Sequence, residues 1–157
     1  MHELILLRHA HALNNAAQAS SDAERALSMT GEAEADAAGA WLKSHGAHPT
    51  RVLCSPSTRT RQTLERVLAQ IEYADTRFEP AIYDATAGSL MSLLDAHGDA
   101  GQLLVVGHNP GIETLVALLA TGQSGEFRGV PPGGIAWFEM PSEIEPGSGR
   151  LKAFWSP

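Results

Sequence analysis

The stretch from Leu103 to Gly111 reads LLVVGHNPG and contains the clearest strand signal in the chain. Leu103–Val106 is a continuous aliphatic run, which is typical of a strand buried on both faces of a parallel sheet. The turn 107–111 ends this run, and apolar residues then recur at i, i+3, i+4 and i+7, which predicts an amphipathic helix. The stretch therefore predicts one strand–turn–helix unit of an α/β protein.

The amino-terminal part of the chain predicts a similar unit with a longer connection. Leu4–Leu7 is fully aliphatic and indicates a second buried strand, and an irregular stretch follows from position 9 to about position 23. Ala33–Leu42 is predicted as a helix that Thr30 caps, because threonine is a favoured N-cap residue and acidic residues follow in the first turn.

The middle of the chain adds further elements in the same alternation. Arg51–Cys54 indicates a strand, and Ser55-Pro56 predicts a helix start with serine as the N-cap and proline at the first helical position. A short strand over Phe78–Ile82 and a helix around residues 90–94 follow. Two late strands are predicted at Ile135–Met140 and Leu151–Trp155.

The alternation predicts the fold class. We expect a three-layer α/β/α sandwich around a mostly parallel sheet of about six strands. The two late strands are expected to supply one antiparallel edge strand. With 157 residues, we expect one domain that spans positions 1–157.

Composition excludes several classes of protein. Lys and Arg number 11 against 18 Asp and Glu, and the formal net charge of −7 argues against a nucleic-acid or membrane partner. The single cysteine, Cys54, excludes an internal disulfide, and it is expected to be a buried, inert packing residue. No apolar run is long enough to span a membrane and no signal peptide is recognisable, so we expect a cytoplasmic protein.

Arginine and histidine residues, whose side chains can bind or accept a charged group, follow three of the predicted strands. Arg8 and His9 follow the first strand, Arg59 lies in the first turn after the second, and His108 follows the strand 103–106. Ligands of α/β sheets bind outside the carboxyl ends of the strands, so we expect these side chains to converge. Guanidinium groups match phosphoryl oxygens, and a neutral imidazole with one nitrogen fixed by a backbone carbonyl can accept a phosphoryl group. The set therefore predicts phosphoryl transfer.

Three short blocks resemble those of the histidine phosphatase superfamily, in the branch related to phosphoglycerate mutases. Their order matches the family, over roughly residues 1–120: Leu6-Leu7-Arg8-His9-Ala10, Ser55–Thr63 and Gly107-His108-Asn109-Pro110. The span Glu79–Gly101 is too short for a long lid. Together with Arg-His-Ala in place of Arg-His-Gly, this span makes the chain most similar to SixA-type phosphohistidine phosphatases.

The resemblance implies a role for each matching position. His9 would be the nucleophile that becomes phosphorylated. Arg8 and Arg59 would bind the phosphoryl oxygens, and His108 would donate a hydrogen bond to the group as charge develops. No metal and no organic cofactor is implied.

Two further positions follow from mutase-type relatives. Asp84 aligns with their general acid, and an ordinary turn carboxylate is the alternative. Asn15 lies seven residues after Arg8, where those relatives place a phosphate-contacting asparagine. A phosphohistidine can leave without an acid, because its second ring nitrogen can already carry a proton, whereas an ester alkoxide needs a donor.

The favoured substrate is phosphohistidine on a phosphotransfer-type signalling protein, with inorganic phosphate as the product. A phosphatase of small phosphate monoesters, or a mutase, is one alternative, and a non-catalytic module that binds phosphorylated partners is another. His9 and His11 could form a metal pair, but no third ligand is evident, and His11 is expected at the rim of the site. We expect the helix-end histidines at the surface: His45, His48 and His97.

Overall fold

Six strands form one mixed sheet in the computed structural model, which describes residues 1–14, 21–72, 74–125 and 129–157. The strands lie in the order β3-β2-β4-β1-β5-β6. Their bounds are Glu3–Arg8 (β1), Arg51–Cys54 (β2), Asp75–Phe78 (β3), Gln102–Gly107 (β4), Ile135–Glu139 (β5) and Arg150–Trp155 (β6). The first four pair in parallel, and β5 runs antiparallel to both β1 and β6. The predicted fold class is confirmed, with the reversed strand one place in from the edge.

Helices cover both faces of this sheet. Their bounds are Met29–Ser44 (α1), Thr58–Leu68 (α2), Ala87–Ala96 (α3) and Gly111–Thr121 (α4). Ile5 and Leu7 of β1 pack with α1 and α2, whereas Leu4 and Leu6 pack with α3 and α4. The aliphatic run at β1 is therefore buried on both sides, as its composition predicts.

Two helix starts differ from the sequence predictions. The N-cap of α1 is Ser28, whose side chain accepts from the amide of Gly31, and Thr30 already lies within the helix. The N-cap of α2 is Ser57, which accepts from the amide of Thr60. In the first case Leu27 bridges Ala12 and Ser28 itself is extended, so the helix begins only after position 28. In the second, the hydroxyl of Ser55 contacts His108 instead of capping a helix.

Two other expectations need correction. The third strand is Asp75–Phe78, and the residues after it form a 3-10 turn, Pro80–Ile82, because proline cannot donate to a sheet ladder. His97 is buried, not exposed, and its Nδ1 accepts a hydrogen bond of 3.1 Å from Nη1 of Arg51.

Gly31 fixes the segment that follows the first strand. A Cβ at this position would lie 1.9 Å from the carbonyl oxygen of His11, so only glycine permits this approach of α1. The contact holds the chain just beyond His9 against the helix layer. Among the helices in the described ranges, none combines the length and the hydropathy that a membrane-spanning helix requires.

Candidate active site

The four strand-end side chains singled out by the sequence meet at one cavity of about 730 Å³: Arg8, His9, Arg59 and His108. The sheet brings them together because β1, β4 and β2 are neighbours and their carboxyl ends coincide. The amide of His9 donates to the carbonyl of Gly107 at 3.0 Å, and the amide of Ser55 donates to that of Val106 at 3.1 Å. The segments that follow β1, β2 and β4 therefore leave the sheet at the same edge, side by side.

The ring of His9 is held in one orientation. Its Nδ1 lies 2.7 Å from the carbonyl oxygen of Ala10, and because a carbonyl only accepts, this nitrogen carries the proton. The lone pair is then on Nε2. Burial lowers the pKa of His9 to about 3, and the nearby His108, Arg59 and Arg8 act in the same direction. The ring is therefore neutral at physiological pH, as a nitrogen nucleophile must be.

His108 faces this ring from the neighbouring strand end. The two ring centroids are 5.3 Å apart, and Nε2 of His108 lies 2.7 Å from Oγ of Ser55. The ring of Tyr83 packs edge-on against it at 5.3 Å. Burial, followed by the charge of Arg59, lowers the pKa of His108 to about 4, so this ring is also neutral.

Arg8 is anchored through a backbone carbonyl. Its Nη1 donates to the carbonyl of Val130 at 2.9 Å, and Nδ2 of Asn109 donates to the same oxygen at 2.9 Å. Burial lowers the pKa of Arg8, and the carboxylate of Glu113 opposes this effect. Asn109 is a support that the sequence analysis did not assign, although it lies within the third block.

Arg59 is almost fully buried, with 5% of its surface exposed, and Asp22 binds it twice. Nη1 donates to the backbone carbonyl of Asp22 at 2.8 Å, and Nη2 donates to Oδ2 at 3.0 Å. The hydroxyl of Tyr83 also donates to Oδ2, and Nε of Arg25 donates to Oδ1 at 2.9 Å. The hydrogen bond from Tyr83, followed by that from Arg59, holds the pKa of Asp22 well below its usual range.

Sequence reasoning missed this group. Asp22 lies in the stretch predicted only as an irregular connection, where the structure has the 3-10 turn Asp22–Glu24, and Arg25 lies just beyond that stretch, where no element is predicted. Their spacing of three residues suits an ion pair within one turn, and it was the available signal.

Asp84 and Asn15 have different outcomes. Asp84 lines the same cavity, is exposed, and has a φ of 52°, in the left-handed region that favours glycine and asparagine. Asn15 lies outside the described residues. The role of Asp84 as a general acid stays a prediction.

His11 lies at the rim, as expected. Its side chain is exposed, its Nδ1 is 2.6 Å from Oγ of Ser28, and it lines the cavity. In the described ranges, no group of three or more His, Cys, Asp or Glu residues gathers as a metal site.

Arg61 faces away from the cavity and stacks on the ring of Phe78 at 4.5 Å. Cys54 is fully buried, and burial raises its pKa to about 12, so its thiol stays protonated.

Comparison with known sequences gives matches over most of the chain. Residues 4–96 match the model of the histidine phosphatase superfamily, branch 1. An uncharacterized protein of Mycobacterium tuberculosis is 34% identical over 149 residues, covering 87% of this chain and 92% of the relative. An uncharacterized protein of Picosynechococcus is 33% identical over 141 residues, covering 85% and 82%.

Comparison with solved structures gives matches over nearly the whole fold. SixA from Agrobacterium tumefaciens superposes with a TM-score of 0.86 at 28% identity, covering 99% of this chain and 98% of that chain. The protein histidine phosphatase SixA complexed with tungstate superposes with a TM-score of 0.84 at 28% identity, covering 98% and 96%.

Proposed function

Since the chain belongs to branch 1 of the histidine phosphatase superfamily, we propose that it hydrolyses phosphohistidine carried by a protein partner. His9 is the nucleophile, and Arg8, Arg59 and His108 bind the phosphoryl group. No metal ion takes part, because the two guanidinium groups supply the positive charge.

One observation carries this proposal. A neutral imidazole, His9, has its Nδ1 proton fixed on a backbone carbonyl and lies 5.3 Å from the neutral ring of His108, in a cavity that two arginines line. A structural histidine needs no such surroundings. The likeness to a SixA solved with tungstate, a tetrahedral oxyanion, supports the same reading.

The reaction has two steps. In the first, Nε2 of His9 attacks phosphorus, the bond from phosphorus to the substrate nitrogen breaks, and the substrate imidazole leaves with the proton on its other nitrogen. In the second, water attacks phosphorus and gives up a proton to solvent, the bond from phosphorus to Nε2 of His9 breaks with its electron pair returning to that nitrogen, and inorganic phosphate leaves. Both transition states spread charge over oxygens that guanidinium groups stabilise.

The shape of the site supports a macromolecular substrate. Between β3 and β4 the chain has room only for the turn Pro80–Ile82 and the ten-residue helix α3. Within the described residues 79–101 no long segment covers the cavity, so a phosphohistidine on a protein surface can enter. A partner of the phosphotransfer type, in signal transduction, fits this requirement.

The test measures phosphate trapped on the protein. A phosphotransfer domain carrying radiolabelled phosphohistidine is mixed with the protein in EDTA, and acid-labile label is followed on the enzyme and in solution. We expect release of phosphate by the unaltered chain and none by His9→Ala, with His48→Ala as an exposed control. Full release by His9→Ala would contradict the nucleophile, and loss of activity in EDTA would contradict metal independence.

A second candidate function rests on Asp84. This carboxylate lines the cavity, where it could protonate the leaving oxygen of a small phosphate monoester. If esters are the substrates, Asp84→Asn should lower kcat for a monoester far more than for phosphohistidine. An equal rate of ester hydrolysis by Asp84→Asn would count against this candidate.

A further inference from the structure

Asp22 engages the buried Arg59 through two different groups. The backbone carbonyl accepts from Nη1 at 2.8 Å, and the carboxylate accepts from Nη2 at 3.0 Å. Two hydrogen bonds to the two ends of a planar guanidinium define both its position and its plane. Of the five N–H groups of Arg59, three remain for other acceptors.

The same carboxylate gathers side chains from two other segments. Tyr83, which follows the turn Pro80–Ile82, donates its hydroxyl to Oδ2, and Arg25 donates Nε to Oδ1 at 2.9 Å. One anion therefore links Arg59 on α2, Tyr83 before α3 and Arg25 next to the 3-10 turn at Asp22–Glu24. Local sequence could bring only Arg25 near Asp22.

The position of Asp22 relative to the cavity shows whether its carboxylate supports Arg59 or competes with a phosphoryl group for the same space. Arg25, Arg59 and Tyr83 are among the described residues that line the cavity, and Asp22 is not. Although 54% of the Asp22 side chain is exposed, its carboxylate therefore reaches Arg59 from outside the lining of the cavity. An anion in this position holds the cations without occupying the volume of a phosphoryl group.

We infer that Asp22 is a positioning residue for the phosphoryl-transfer reaction, acting by holding Arg59, with Tyr83 and Arg25, in the orientation that meets the transition state. The inference rests on the proposed function of the cavity. An arginine that is free to move loses side-chain conformational entropy each time it binds a ligand. A displacement of about 1 Å in a reacting group lowers the rate on the order of 10²-fold. Loss of Asp22 should therefore lower kcat more than it raises KM.

The chain offers a matched control for this test. Glu24 belongs to the same 3-10 turn, carries the same charge and contacts Ser21 Oγ at 3.4 Å, not Arg59. The set comprises Asp22→Ala, the isosteric Asp22→Asn and Glu24→Ala, each measured for kcat and KM on a phosphohistidine protein. We expect about 10- to 100-fold lower kcat for both Asp22 variants and an unchanged rate for Glu24→Ala.

A double variant separates positioning from a general effect on folding. If Asp22 acts through Arg59, adding Asp22→Ala to Arg59→Ala lowers activity little further, since the group it holds is already gone. A full multiplicative loss in the double variant, or unchanged kcat in both single Asp22 variants, would overturn the inference.

The outcome remains decisive if the proposed function fails. Should the unaltered chain release no phosphate from any phosphohistidine, the affinity for inorganic phosphate is measured by calorimetry on the same four proteins: the unaltered chain, Asp22→Ala, Arg59→Ala and the double variant. Coupling between the two substitutions supports positioning by Asp22, and strict additivity rules it out. An inactive unaltered chain removes the proposed function alone.

Discussion

The two site histidines should make stability fall as the solution becomes more acidic. Both rings are neutral in the folded protein, with a pKa of about 3 for His9 and about 4 for His108. In the unfolded chain an imidazole has a pKa of about 6.5. Below about pH 6.5 the unfolded state therefore binds protons that the folded state does not, and the free energy of unfolding decreases down to the folded pKa values.

The size of the effect follows from these values. Between pH 7 and pH 5, each ring lowers the free energy of unfolding by about 2 kcal/mol, and the slope approaches about 1.4 kcal/mol per pH unit. Above about pH 6.5 this part of the stability is fully present. His9→Asn removes one titrating ring, so the variant should lose about 2 kcal/mol less than the unaltered chain over this range.

Urea denaturation followed by tryptophan fluorescence at pH 7, 6 and 5, in phosphate-free buffer, measures this difference. The carboxylates are the same in both proteins, so the comparison isolates His9. His48→Asn is the control, because 68% of that side chain is exposed to solvent. Identical losses for His9→Asn and the unaltered chain would refute the reasoning that burial keeps the ring neutral.

Two further substitutions test the site and its support. Arg59→Ala should lower kcat/KM for phosphohistidine by about 10²- to 10³-fold, because two charge-assisted hydrogen bonds to the phosphoryl group are lost. Arg61→Ala, two residues further on, is the control and should keep the rate. Equal losses in the two variants would contradict the role assigned to Arg59. Gly31→Ala should destabilise by about 1–3 kcal/mol in thermal denaturation, since a Cβ there meets the carbonyl of His11 at 1.9 Å. Gly88→Ala, whose Cβ would have its nearest neighbour at 3.9 Å, should not destabilise, and an equal decrease would exclude the steric explanation.

The sequence was sufficient for the order of strands and helices along the chain and for the four strand-end residues of the candidate site, although it placed the third strand at Phe78–Ile82 and not at Asp75–Phe78. Fully aliphatic runs such as Leu4–Leu7 can be satisfied only by burial on both faces, which requires helices on both sides of a parallel sheet. In such a sheet the carboxyl ends of neighbouring strands coincide, so residues just after them, such as His9 and His108, must lie close together. The positions of the strands, and the residues that follow them, can therefore be recognised from short stretches of sequence alone.

Helix starts and supporting contacts were decided only by the tertiary structure. Ser55 is a favoured capping residue, but its hydroxyl contacts His108, 53 residues away, and Ser57 caps α2 instead.

The contacts of Asp22 depend on long-range folding in the same way. Asp22 meets Arg59 across 37 positions and Tyr83 across 61. No local period encodes such a contact, because the carboxylate finds its donors only after the sheet has brought separate segments to one edge. The sequence by itself thus determined which side chains follow the strand ends, and the folded chain alone decided how the guanidinium groups among them are held.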